Sequence, residues 1–286
     1  EQAYTVFCQA IDRSGYARGT LTPDPAMVPS VPEMDESPIL THADMGMAHG
    51  GGHSMTADAG CTPEHAEMGH CEMPKEMSHA SMHCTPEHAQ MGHCEMPKKM
   101  VQEFATGKAG FGTANAPSFD LIKKGPHIDM LAEGAQYRLD DPGVGLRDNG
   151  RRVLTYADLF NLYQTPDPRE PEREIELHLT GNMSRYMWSI NGVKYADADP
   201  ILMKYGERLR ITLVNNTMMN HPMHLHGVWS DLETGDANHI PRKHTVIAQP
   251  GSKTSYLVTA DAIGKWAYHC HLLYHMPSMF REVHIT

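Results

Sequence analysis

The stretch Gly264–His275 reads GKWAYHCHLLYH, and a second stretch, His221–Gly227, reads HPMHLHG. Along a β-strand, side chains alternate between faces with period two. On that spacing His269 and His271 point one way and Cys270 the other. His224 and His226 share a face, and His221, an odd number of residues away, takes the opposite one. If the two stretches lie side by side, one face offers Cys270, His221 and His275. The reverse face offers four imidazoles, His224, His226, His269 and His271. Cysteine thiolate with imidazole is the ligand set of a blue-copper electron-transfer site. The four imidazoles behind it make half of a copper cluster. An electron arriving at Cys270 has a short covalent path to either neighbouring histidine.

Outward from these two blocks the pattern is of short strands. EIELHLTG (Glu174–Gly181) alternates around Ile175, Leu177 and Leu179. YMWSING (Tyr186–Gly192) ends in Asn191-Gly192, a strong hairpin signal. RLRITLVNN (Arg208–Asn216) places Leu209, Ile211 and Leu213 on one face. HTVIAQPGSKTSYLVTA (His244–Ala260) divides into two strands at Pro250-Gly251, and REVHIT (Arg281–Thr286) closes the chain. TYADLFNLY (Thr155–Tyr163) is a short helix candidate. Many short strands between turn residues predict an all-β domain, a Greek-key sandwich or barrel, over residues 126–286. About 150 residues suffice for one such core.

The chain has 286 residues and a net charge of −11. That length allows one or two domains, and the acidic balance argues against a nucleic-acid partner. No apolar run approaches the roughly 18 residues that suggest a membrane span. The sequence starts at Glu1 with no initiator methionine or signal peptide, as in a mature or truncated fragment. Methionine (21) and histidine (20) far exceed ordinary usage, and soft and borderline ligands suggest copper handling. No nucleophile elbow, phosphate loop or zinc protease motif is present.

Residues 1–22 read as a strand and turn left over from a preceding domain. Pro23, Pro25, Pro29, Pro32 and Pro38 then mark an extended linker. Residues 23–125 form a linker and a Met/His/Cys-rich segment, in which positions 41–100 hold nine His and ten Met. Within it CTPEHAEMGHCEMPKEM from Cys61 recurs 23 residues later, from Cys84, as CTPEHAQMGHCEMPKKM. Large apolar residues are almost absent, so burial cannot offset ordering entropy and disorder without metal is expected. Cys61, His65, Met68, His70, Cys71 and Met73 suit Cu(I), as do Cys84, His88, Met91, His93, Cys94 and Met96. Two other readings stay open: structural disulfides among the four cysteines, or a plain solvated linker.

The two histidine blocks resemble the C-terminal copper motifs of multicopper oxidases, H-P-x-H-x-H-G and H-C-H-x-x-x-H. The flanks YRLDDPGVGLRDNGRRVLTYADL, GNMSRYMWSING and NNTMMNHPMHLHGVWSDLE resemble the copper-resistance branch of Gram-negative bacteria. AYTVFCQAIDRSGYARGTLTP, near the N-terminus, resembles the end of that family's preceding domain. The resemblance implies a cupredoxin-like fold and a periplasmic oxidase that takes electrons from a substrate, with Cu(I) itself a candidate. It implies a type 1 copper on His221, Cys270 and His275, and a type 2/type 3 trinuclear cluster, reducing O2 to water, that uses His224, His226, His269 and His271. Other periplasmic copper-resistance proteins are the implied partners.

Three departures from the family pattern matter. The axial methionine is usual ten residues after the cysteine, where Phe280 stands. Met279 as ligand in a loop one residue shorter is the preferred reading, and loss of the axial ligand the alternative. The family supplies four further cluster imidazoles from two H-x-H motifs in an N-terminal domain. Those motifs are missing here, so the isolated chain is expected to be inactive in oxygen reduction. Tyr274 stands where some relatives carry a proton-delivering carboxylate; Asp231 and Glu233 are weak substitutes. The rival reading is a copper-binding or copper-sequestering protein without oxidase turnover.

Overall fold

The computed structural model describes residues 2–41, 43–45 and 122–286. Both repeats lie outside the described residues. Among the described residues there is no α-helix, only strands and three single 3-10 turns. None contains a helix long and apolar enough to cross a membrane.

Two sheets build the main body. One contains β3 (Gln136–Tyr137), β4 (Arg173–Asn182), β5 (Met187–Ile190), β7 (Arg208–Asn215), β9 (Ser230–Leu232), β10 (Arg242–Lys243) and β12 (Ser252–Thr259). Its path runs β10-β9-β12-β7-β4-β5, with β3 beside β12. The other contains β6 (Ile201–Met203), β8 (His221–Leu225), β11 (Thr245–Ala248), β13 (Gly264–Cys270) and β14 (Phe280–Ile285), ordered β11-β8-β13-β14-β6. The chain crosses repeatedly between them, and β4 pairs parallel with β7. This is a cupredoxin-like Greek-key sandwich. A separate hairpin, β1 (Tyr4–Gln9) with β2 (Tyr16–Leu21), completes the described strands.

Alternation decides what the sandwich encloses. Leu209, Ile211 and Leu213 of β7 are fully buried, facing one core with Leu179, Trp188, Tyr256, Met223, Leu225, Tyr268 and Val283. The reverse face of β7 is also buried, and it is polar. Arg208 donates to Asp231 at 2.8 Å, and Arg210 reaches Glu233 at 3.0 Å. Charges removed from water survive only when paired in this way. The chain ahead of β4 covers this face, for Thr165 N–H donates to the Asn238 carbonyl and Thr259 Oγ1 to the Asp167 carboxylate.

The expected helix over 155–163 is reduced to one 3-10 turn, Tyr156–Asp158. Thr155 caps it, donating through its N–H and hydroxyl to the Asp158 carboxylate. The chain then leaves the helix at Leu159. Phe160, Leu162 and Tyr163 are exposed, so no apolar stripe is buried to hold further turns. Backbone bonds of Asn161 and Thr165 to His239 and Asn238 hold the extended course instead. The turn at Asn191-Gly192 forms as the dipeptide predicts, both residues at positive φ (53° and 73°).

Asp44 and Met45 are pinned to the sandwich. Arg147 Nη1 lies 2.6 Å from Asp44 Oδ1, and Arg138 donates to the Asp44 carbonyl at 2.9 Å. Met45 is buried against Gly251, where a Cβ would sit 2.3 Å from the Met45 carbonyl carbon. Only glycine admits that approach, and its φ of +62° suits glycine as well.

Candidate metal centre

Strands β8 and β13 lie antiparallel, with His224 opposite His269 and Met223 opposite Cys270. This register puts the two histidine blocks side by side and sends their side chains to two faces. On the core face His221, Cys270 and His275 converge, all buried, with their ligand atoms within 4.8 Å of one another. Cys270 Sγ lies 3.6 Å from His221 Nδ1 and 3.7 Å from His275 Nδ1, and the two nitrogens are 3.2 Å apart. A trigonal ion with bonds of about 2.0 Å to nitrogen and about 2.3 Å to sulfur separates N from S by about 3.7 Å. Among the described residues this is the one such convergent group.

The electrostatics suit a cation. Burial, with His275 nearby, lowers the His221 imidazole to about 3. Burial lowers His275 to about 4. Both rings are therefore neutral ligands at neutral pH. Burial pushes the Cys270 thiol up to about 11, so a bound cation must displace its proton. The donor set of one thiolate and two imidazoles in a trigonal pocket fits copper.

Two supports carried no recognisable signal in the sequence. Thr217 Oγ1 sits 2.6 Å from His221 Nε2. That hydroxyl also donates to Asn215 Oδ1 (2.9 Å), which leaves its lone pairs to accept from His221 Nε2–H and Met219 N–H. The bond fixes the tautomer with a free lone pair on Nδ1, the atom facing Cys270. On the far side of the site the Trp188 ring stacks on His275, with centroids 3.9 Å apart.

Met279 is fully buried in the core cluster. Its carbonyl accepts from Cys270 N–H at 3.1 Å and its N–H donates to the His275 carbonyl at 2.8 Å. Phe280 takes the opposite face and stacks on His269 at 5.8 Å.

On the reverse face His224, His226, His269 and His271 gather. His226 Nε2 lies 3.0 Å from His269 Nε2, and the His224 and His226 centroids are 4.4 Å apart. His224 Nδ1 donates to the His244 carbonyl, and His269 Nδ1 to the Cys270 carbonyl. His226 and His271 are exposed. The His244 ring meets His224 edge-on, although its sequence position read as ordinary surface or core. Asp231 is held between Arg208 and Arg242, away from this face, and Glu233 is held by Arg210. Tyr274 is 72 % exposed.

Residues 168–283 match the model of the multicopper oxidase family. The fold and the paired histidine blocks define a copper protein of this class, and the chain belongs to the multicopper oxidase family. That family's cofactors are a type 1 copper and a trinuclear copper cluster.

Within the family the chain is similar to copper resistance protein A. It is 50 % identical to the Escherichia coli protein over 286 residues, covering 99 % of this chain and 46 % of the relative. It is 57 % identical to that of Pseudomonas syringae pv. tomato over 285 residues, again 99 % and 46 %. The chain thus spans about half the length of these relatives. A solved blue copper oxidase from Nitrosomonas europaea aligns over 39 % of this chain and 43 % of its own, at 19 % identity and a TM-score of 0.36.

Proposed function

We propose that the chain is the C-terminal, electron-accepting part of a periplasmic copper-resistance oxidase that draws electrons from a substrate such as Cu(I) and delivers them to O2. The observation that carries this reading is the convergence of His221, Cys270 and His275 behind four imidazoles, on strands β8 and β13 and the turns that follow them. Copper held by the first group supplies one-electron redox chemistry. His221 and His275 would hold copper through neutral Nδ1 and Cys270 through its thiolate, with Met279 the candidate for a weak fourth ligand. Thr217 orients His221. Cys270 is joined by single peptide units to His269 and His271, which face the cluster side, so the two sites are covalently linked. The relatives named copper resistance protein A support the resistance role and the periplasmic setting.

His224, His226, His269 and His271 supply half of the trinuclear ligand set, and the isolated chain is expected to lack O2 reduction. That open face supports a second reading, copper sequestration without turnover. Loading with Cu(II) separates the outcomes. An intense visible thiolate-to-copper charge-transfer band is expected, with no O2 uptake until the remaining ligands are supplied by the upstream part of a full-length relative. A folded, copper-loaded chain without that band overturns the assignment. A blue chain that stays silent toward O2 with every ligand present supports sequestration.

The Cys/Met/His repeats are proposed to collect Cu(I). A reduced peptide of residues 61–100 is expected to take Cu(I) from a modest chelator and gain order. Failure to compete would leave the segment as a linker or a pair of disulfide-closed loops.

A further inference from the structure

His275 is 3 % exposed, whereas His221 and Cys270 are fully buried. What covers it is aromatic and continuous with the surface. The Trp188 ring lies nearly parallel to the His275 ring, 3.9 Å between centroids and 20° between planes. Tyr186 meets Trp188 edge-on at 4.5 Å and 81°. Trp188 is 2 % exposed and Tyr186 62 % exposed. Three rings thus run in contact from a copper ligand to solvent.

Two further features mark this path. Tyr186 has a left-handed backbone, φ +49°, a conformation a bulky residue adopts only when its surroundings impose it. It occurs at the tip of the β4–β5 hairpin, closed by Tyr186 N–H donating to the Met183 carbonyl at 3.2 Å. That turn aims the phenol ring at the indole. The Trp188 Nε1–H is buried with no hydrogen-bond partner, so the indole is not held by a polar anchor. Its position follows from ring contacts.

We propose that Tyr186 and Trp188 form the electron-entry port of the site, coupling a one-electron donor at the β4–β5 hairpin tip to His275. The inference rests on the copper reading above. In the step, the donor loses one electron and Cu(II) becomes Cu(I); no bond in Tyr186 or Trp188 is made or broken. The rings supply contact and electronic overlap, so an aromatic ring at position 186 is required and its hydroxyl is not. Arg185 is exposed at the same tip, and the exposed Asp129 carboxylate accepts from Met183 N–H there, so the tip presents charges of both signs.

The test uses the full chain loaded with copper, without oxygen. Stopped-flow absorption follows bleaching of the blue band by ascorbate and its recovery with hexacyanoferrate(III), and the reduction potential and spectrum of each variant are recorded. Tyr186→Ala is expected to slow both reactions several-fold with band position and potential unchanged. Tyr186→Phe is expected to restore the rates. Tyr205→Ala, an exposed tyrosine on the turn before β7, serves as the control. Unchanged or faster rates in Tyr186→Ala overturn the port. So does an equal loss in Tyr186→Phe, or a loss wholly accounted for by a shifted potential. A chain that never turns blue overturns the copper reading itself, a result distinct from each of these.

Discussion

The two faces of the β8–β13 pair are built from the same two stretches, His221–Gly227 and Gly264–His275, and differ in completeness. On the core face the ligands are buried and their lone pairs converge on a single point. On the reverse face two of four imidazoles are exposed and the rings are spread, with centroid separations from 4.4 to 5.7 Å. Strand alternation distributes six of the residues and the turn after β13 brings in His275; tertiary packing closes only one side. The lesson is that a local motif can finish a mononuclear site, whereas a polynuclear one needs ligands from another element.

Cys270→Ser puts the largest strain on this contrast. It is expected to abolish the charge-transfer band while copper uptake on the reverse face continues, as read by absorption and metal analysis. Band loss together with loss of all copper would mean the faces do not act separately. In the complementary change, His224→Ala with His226→Ala should leave the band intact and remove only the more weakly held copper, detectable by dialysis against a mild chelator.

Thr217→Val comes next. Losing an outer partner of a metal-binding histidine costs about 10–100-fold in affinity, and Thr217→Ser should recover most of it. Competition titrations would show whether the hydroxyl, rather than packing, is what matters.

The apo chain should also respond to acid. Burial depresses His221 to about 3 and His275 to about 4, from 6.5. The unfolded chain then binds protons that the folded chain refuses, and stability falls as pH drops from about 6.5 toward 4. Copper should suppress this slope, since bound imidazoles cannot protonate. Thermal melts of apo and loaded protein across that range would reveal it, and equal slopes would refute it.

The smallest effect concerns the axial position. Met279→Leu should raise the reduction potential and Phe280→Leu should scarcely move it. The reverse ranking would put the axial ligand elsewhere.

Much of this was legible beforehand. Period-two spacing around Cys270 and His224 sorted six ligand candidates onto two faces, the turn after β13 brings in His275 as the seventh, and Asn191-Gly192 marked its turn. What could not be read came from long-range packing. Thr217 looks like any loop threonine until β8 begins. Trp188 is a hydrophobic strand residue until β5 is laid beside the loop carrying His275. The helix expected at Thr155–Tyr163 failed because its local pattern did not reveal that the apolar side chains would remain outside. Arg208 and Arg210 alternate with the apolar residues of β7, yet both are buried, Arg208 bonded to the Asp167 carbonyl of a segment more than thirty residues upstream.

The pinning of Asp44 and Met45 bears on the unusual tract that follows. Asp44 and Met45 before the tract are buried in the body, and so is Ile128 after it. Both ends of the intervening tract are thus moored to the body that carries Cys270. Were the tract to hold ions, its covalent attachment at both ends would act on their local concentration and not on their affinity. A protease cut within the tract would not free the leading 45 residues at once. They would stay attached through Arg147, Arg138 and the fit of Met45 against Gly251, and the severed chain would separate only when that clamp opened.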